Sequence, residues 1–343
     1  MSGEHGANIF KYSEDGKLID FSSNINPFGP PKGVYENIKE NLALITRYPD
    51  VNYRKLHTAV SKYLGADEGN ISLGNGAMEV IDAIIRLHKK ILVFNPCFSE
   101  YEKRARMAEK IVIERDLDDN FLPEVNYLPE DLRDTLVIVT SPHNPSGVAL
   151  TREGFLELYE NIERKGGNLL VDEVFYEFAG LDYDLAKEIK NYDSLFVVRA
   201  TTKFFSLPGL RLGYAISNEK EKIDDIIHTW SISGLLENLG DTIFGDREFV
   251  KSSREKLANE RERMTDAISK LKGFYPISGR ANFILIKTDY DNSLLFEYFL
   301  KKGILIRLCD NFKNLGQKYI RIAVKSPDDN DFLLKILKEF IYE

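Results

Sequence analysis

The sequence predicts an α/β protein: a large, mostly parallel sheet covered by helices on both faces, followed by a smaller α+β unit. Short β-branched and aliphatic runs alternate with segments whose apolar residues recur at helical spacing. Those runs are mostly apolar, as strands buried on both faces are. After about Glu237 the texture changes, and a long charged helical stretch introduces a new set of short elements. At 343 residues the chain can bury a large core, as one big domain or two modest ones.

Residues 1–31 carry little helical pattern and end in the rigid turn Asn26-Pro27-Phe28-Gly29-Pro30-Pro31. They read as an arm that joins the small domain, packed on it or on a partner subunit. Residues 32–236 read as the large domain. Within it, 91–94, 135–140, 168–171, 194–198 and 210–216 have the character of buried strands, and 76–90, 100–109 and 151–166 of helices. Residues 237–343 read as the small domain. It opens with a helix over 246–272 and continues with a strand at 282–287, a helix at 293–302, strands at 304–308 and 319–324, and a helix from Asp328.

Composition removes several functions. With 46 basic against 54 acidic residues, the net charge is −8 and the pI about 5.4, which argues against nucleic acid as a partner. No apolar run approaches the ~18 residues that span a bilayer. The start lacks the basic and apolar regions of a secretory leader, so a cytoplasmic location is expected. Cys97 and Cys309 cannot build a disulfide scaffold or a four-cysteine metal site, and the five histidines are scattered, so no metal is expected. No Gly-x-Gly-x-x-Gly follows an early strand, which speaks against a nicotinamide enzyme.

The segment 199–214 carries the chemistry. Lys203 stands just past a strand among apolar and hydroxyl residues, eight positions before Arg211. A desolvated lysine has a lowered pKa, and its neutral amine can condense with an aldehyde. Arg211 can hold a phosphate, with Thr202 adding a hydroxyl donor. Taken alone, Lys203 also fits an ordinary surface lysine.

Lys203 with Gly209, Arg211 and Gly213 resembles the lysine motif of the fold-type-I, pyridoxal-phosphate-dependent aminotransferase family (class I/II). Further segments match in the family's order: Gly74-Asn75-Gly76-Ala77-Met78, Phe98, Asn144 in Ser141-Pro142-His143-Asn144-Pro145-Ser146-Gly147, and Asp172. Each alone fits a common turn or core position; together they span the chain. The resemblance implies the fold-type-I architecture, the cofactor pyridoxal 5′-phosphate, Lys203 as the catalytic residue, and a homodimer. Gly76, Ala77 and Met78 would cradle the phosphate at a helix N-terminus, with Thr202, Arg211 and the neighbouring subunit's Tyr48. Phe98 would stack on the ring, Asn144 would bond its hydroxyl, and Asp172 would face its nitrogen.

Two branches fit: threonine-phosphate decarboxylases of cobalamin biosynthesis and histidinol-phosphate aminotransferases. The opening His5-Gly6-Ala7-Asn8, the segment around Asn24, and Trp230-Ser231 lean toward the first. The preferred reading is therefore L-threonine O-3-phosphate decarboxylation, the alternative transamination of histidinol phosphate with 2-oxoglutarate. Substrate contacts are implied for His5, Asn24, Asn144, Arg307 and Arg321, with Arg321 on the carboxylate and Arg307 on the phosphate. A non-catalytic regulator would lack the lysine or add a DNA-binding segment, and the chain does neither. Departures from the pattern are Ala200 where a hydroxyl residue is usual, which Thr201 or Thr202 would offset, Phe175 for a tyrosine, and His143 for an asparagine. Tyr176 is expected to point to the opposite face of a continuing strand.

Overall fold

The computed structural model describes residues 6–14 and 17–342. Its strands are, in order, β1 (Ile19–Asp20), β2 (Ile71–Asn75), β3 (Lys90–Asn95), β4 (Ile111–Asp116), β5 (Thr135–Thr140), β6 (Asn168–Asp172), β7 (Leu195–Ala200), β8 (Leu212–Ser217), β9 (Phe274–Pro276), β10 (Phe283–Thr288), β11 (Ile304–Leu305), β12 (Arg307–Leu308) and β13 (Tyr319–Ala323). A 7-stranded sheet has the order β2-β8-β7-β6-β5-β3-β4. Strands β3 to β7 run parallel, and β8 is antiparallel to both its neighbours.

Alternating side chains of the central strands enter opposite cores, as parallel strands covered on both sides require. Leu92, Val137, Leu169 and Val197 pack on one face. Ile91, Leu136, Leu170 and Val198 pack on the other, under the Ala77–Arg86 helix. The helix Arg152–Arg164 starts where the Thr151 hydroxyl accepts from the Gly154 N–H, a standard N-cap.

The second sheet has four strands in the order β12-β13-β10-β9, all antiparallel, flanked by the helices Arg247–Ser269, Asn292–Lys301 and Pro327–Tyr342. The expected strand at 304–308 is two pieces separated by Ile306. β11 pairs with β1 in a parallel two-stranded sheet, while β12 pairs with β13. The N-terminal arm is thereby tied to the C-terminal unit, and the Ala323 N–H donating to the Phe21 carbonyl extends that seam.

Four strands escaped the sequence reading: β1 and β9, which are only two and three residues long, and both edges of the large sheet. β2 is five residues long and ends in glycine and asparagine, and β4 carries Glu114, Arg115 and Asp116 because it is an exposed edge.

Candidate active site

Loops leaving the C-terminal ends of β3, β5, β6 and β7 converge on a cleft of about 260 Å³, the place where an open parallel sheet leaves a crevice. Among its lining residues are Phe98, Asn144, Asp172, Thr202, Lys203 and Arg211 from the large sheet. Arg307 and Arg321 from the small sheet join them, with Ser22 and Asn24 from the arm.

Asp172 ends β6, 6 % exposed. Its Oδ2 accepts from the Tyr101 hydroxyl at 2.5 Å and its Oδ1 from the Val174 N–H at 3.0 Å. Burial raises the carboxyl above its ordinary range, and these two donors oppose the rise. Tyr101, itself buried, also lies 3.1 Å from Thr140 Oγ1, so a fixed pair of hydroxyls aims the carboxylate. The strand ends there. Tyr176 opens a short helix instead of continuing the strand, and lies 3.6 Å from the Arg199 guanidinium. Arg199 is buried against Glu173 and Asp184 on the far side from the cleft.

Lys203 sits in the β7–β8 connection, only partly exposed, and to the cleft. The arm pins that connection: the Asn26 N–H donates to the Lys203 carbonyl at 3.0 Å and the Asn26 amide to the Phe204 carbonyl at 2.9 Å. Burial, reinforced by the Arg321 and Arg211 charges, brings the Lys203 amine down to about 8. A sizeable neutral fraction is thus present near neutral pH. Of the two threonines before it, Thr202 lines the cleft, while Thr201 is buried and donates to the Leu212 carbonyl at 3.3 Å.

Gly76, with φ +80°, caps the Ala77–Arg86 helix, whose first residues Ala77 and Met78 line the cleft. A side chain there would put its Cβ 2.4 Å from Arg211 Nη2. Arg211 itself has φ +60°, left-handed for a non-glycine residue. Arg211, the helix terminus and Thr202 thus line one cleft, an arrangement suited to an anion.

Arg307 and Arg321 face each other in register across β12 and β13, 7 % and 6 % exposed. Arg321 Nη1 donates to Asn144 Oδ1 at 2.5 Å and Nη2 to the Ser22 carbonyl at 3.2 Å, while its buried Nε has no hydrogen-bond partner among the described residues. Arg307 Nη2 donates to Asn311 Oδ1 at 2.6 Å. The Asn24 Oδ1, also buried, has no hydrogen-bond partner among the described residues either. Unpaired buried polar atoms facing a cleft are suited to a ligand.

Phe98 packs edge-on against Tyr101, and Phe175 edge-on against Phe283, both along the cleft wall. His5 lies outside the described residues, although Gly6 and Ala7 line the cleft. Tyr48 lies elsewhere on the chain, 78 % exposed, its ring 4.6 Å from that of Trp230.

Sequence reasoning missed the roles of Tyr101, Asn311 and Phe312, the last two also lining the cleft. It also missed what His143 does. The buried imidazole lies 2.8 Å from Ser146 Oγ and 2.7 Å from the Pro96 carbonyl. That carbonyl can only accept, so Nε2 carries the proton and Nδ1 accepts from the serine. Burial lowers the ring to about 4, so it is neutral, and it ties the Asn144 turn to the loop that carries Phe98.

Residues 16–337 match the family Aminotransferase class I and II, and the chain belongs to it. It is an enzyme of that pyridoxal-phosphate-dependent family, with the fold-type-I architecture. It is 37% identical to a provisionally named threonine-phosphate decarboxylase of Caldanaerobacter subterraneus subsp. tengcongensis, over 98% of this chain and 93% of that one. To the threonine-phosphate decarboxylase of Salmonella typhimurium it is 29% identical, over 99% and 97%. The crystal structure of the histidinol-phosphate aminotransferase from Clostridium acetobutylicum superposes with a TM-score of 0.89 at 35% identity, covering 95% of this chain and 99% of that one. Among the described residues no helix is long and apolar enough to cross a membrane, and no cluster of candidate metal ligands occurs.

Proposed function

We propose that this enzyme binds pyridoxal 5′-phosphate in the cleft and decarboxylates a small phosphorylated amino acid, L-threonine O-3-phosphate. The residues fit the cofactor. The Ala77 and Met78 N–H groups, Thr202 and Arg211 would hold its phosphate, Phe98 would lie against the ring, and Asn144 would meet the ring hydroxyl. Asp172 would meet the ring nitrogen, whose positive charge is the partner that a buried carboxylate lacks. When bound, the cofactor supplies an aldehyde and an electron-withdrawing ring.

The chain's own residues do the rest. The Lys203 amine, partly neutral, would hold the cofactor through its aldehyde and, when freed by substrate, would move a proton at the substrate's α-carbon. Arg321 would hold the substrate carboxylate in a two-pronged grip and so orient the substrate at its α-carbon. Arg307 holds the substrate phosphate. The observation that carries this reading is the in-register Arg307–Arg321 pair, two buried anion holders beside one reactive amine. The likeness to the Clostridium acetobutylicum enzyme favours a second reading, transamination of histidinol phosphate.

Incubating the pyridoxal-phosphate-loaded protein with L-threonine O-3-phosphate separates the two. Release of CO₂ that disappears in Lys203→Ala supports decarboxylation. Glutamate formed from histidinol phosphate and 2-oxoglutarate without CO₂ release moves the assignment to the aminotransferase.

The site is completed in a homodimer. Tyr48 and Trp230 lie exposed with Leu42, Ile45 and Val51, an apolar strip suited to a second copy. Across that interface Tyr48 would reach the partner's cofactor phosphate. Mixing inactive Tyr48→Ala and Lys203→Ala proteins is expected to restore activity in hybrid dimers, and no recovery would refute the shared site.

A further inference from the structure

The loop after β12 touches two places at once. Asn311 and Phe312 line the cleft, but the next two residues leave it. Lys313 Nζ lies 2.7 Å from Glu102 Oε2 and 2.6 Å from Glu114 Oε2, and Asn314 Nδ2 donates to Asp116 Oδ1 at 2.6 Å. Glu114 and Asp116 belong to β4, the outer edge of the large sheet, and Glu102 to the helix Glu100–Met107 beside it. The small sheet's loop is thus fastened to the far edge of the large one. Glu114 also accepts from Asn95 Nδ2 at 2.8 Å, at the end of β3, three residues before Phe98. Arg106 lies 2.8 Å from Glu102 and 3.6 Å from Glu114, so two cations share these two glutamates.

Inside the cleft the same loop sets an arginine. Asn311 accepts from Arg307, and the Arg307 guanidinium lies 5.4 Å from the Phe312 ring centroid. A lysine suits the outer end, because its three donors on a flexible stem can serve two carboxylates at once. We propose that Lys313, with Asn314, is a positioning residue: it anchors the loop to the β4 edge and thereby, through Asn311 and Phe312, holds Arg307 where the substrate's anionic group binds. This rests on the reading that Arg307 holds the substrate phosphate. Lys313 touches no reacting atom, so its loss acts on substrate affinity and leaves the chemical step alone.

The test uses the pyridoxal-phosphate-loaded enzyme, with CO₂ release from L-threonine O-3-phosphate as the readout. Lys313→Met is expected to raise KM about three- to tenfold with kcat within about twofold, and Lys313→Arg to keep most of the wild-type KM. Because Lys313 is half exposed, the wild-type advantage over Lys313→Met narrows between about 0.05 and 0.5 M salt as the ion pairs are screened. Asn314→Ala, a milder cut of the same anchor, is expected to raise KM about twofold, and decides the matter if Lys313→Met does not fold. Arg307→Gln supplies the reference. If it leaves KM unchanged, the phosphate reading falls and the proposal with it. If it raises KM while Lys313→Met and Asn314→Ala do not, the anchor alone is overturned. A Lys313→Met defect confined to kcat, or one that salt does not narrow, also overturns it.

Discussion

Replacing Gly213 by alanine probes the phosphate cradle with a single methyl group. Gly213 lies on β8 opposite Gly74 of β2, and the added carbon would fall 2.3 Å from both the Ala77 nitrogen and the Gly76 carbonyl carbon. Those atoms are backbone, so no rotamer change relieves the contact. Ordinary contact begins near 3.4 Å, so the first turn of the Ala77–Arg86 helix must retreat by about 1 Å. A retreat of that size carries an N–H from about 2.9 Å to beyond hydrogen-bonding range of a phosphate oxygen. One such bond to a charged group contributes about 1.5–3 kcal/mol. Affinity for pyridoxal phosphate should therefore fall about 10- to 100-fold. The overpacking itself costs about 1–3 kcal/mol, visible as a Tm lowered by a few degrees. Gly209, four residues earlier in the same motif, is the control. A Cβ there meets nothing within 4 Å, so Gly209→Ala should stay within about 0.5 kcal/mol of wild type and keep its affinity. Cofactor-free protein titrated with pyridoxal phosphate gives the affinity, and calorimetry gives Tm. Equal affinity in wild type and Gly213→Ala would refute the placement of the phosphate at this helix terminus.

Other consequences can be checked in parallel. In cofactor-free protein, borohydride trapping of an aldehyde at Lys203 should rise with pH to a midpoint near 8. Arg321→Met should move that midpoint upward, since a neighbouring cation favours the neutral amine; an unmoved midpoint would exclude the coupling. Tyr101→Phe removes the hydroxyl that bonds Asp172 and opposes the rise caused by burial, so its carboxyl should rise further and the acid limb of the activity profile shift the same way. An unshifted limb would show that Tyr101 does not tune Asp172. His143 is neutral when folded down to about pH 4 but protonates near 6.5 when unfolded. Its contribution is complete above about 6.5 and is lost as pH falls toward 4, roughly 3 kcal/mol in total. Urea unfolding of wild type and His143→Asn at pH 7.5 and 5 should show it as a gap that shrinks in acid. Comparing the two proteins cancels Glu173 and Glu177, which burial raises to about 7 and which act with the opposite sign.

The large sheet was legible because its central strands are apolar on both faces, a pattern only full burial produces. Its edges were not: β4 mixes isoleucines with charges because one side meets water, and β2 is short. Lys203, Asp172, Asn144 and Arg211, which line one cleft, could be singled out as candidates because each lies within a short motif. The groups that support them come from far along the chain. Tyr101 reaches Asp172 across 71 residues, and Asn26 grips the Lys203 loop from the arm. Such contacts are properties of topology rather than of local sequence. Arg307 and Arg321 fall between: their strands could be read, but that they share one register could not.

Arg211 holds a left-handed backbone, which in a residue with a Cβ costs of the order of 1 kcal/mol or more. Glycine or asparagine would relax it, and either would remove the guanidinium that closes the anion site. If Arg211 holds the cofactor phosphate as proposed, heat resistance and cofactor retention pull apart at this one position. A library selected for thermal survival without pyridoxal phosphate should drift toward glycine or asparagine at 211. The same library selected with pyridoxal phosphate present should keep the arginine, because there the bound anion is itself part of what stabilises the fold.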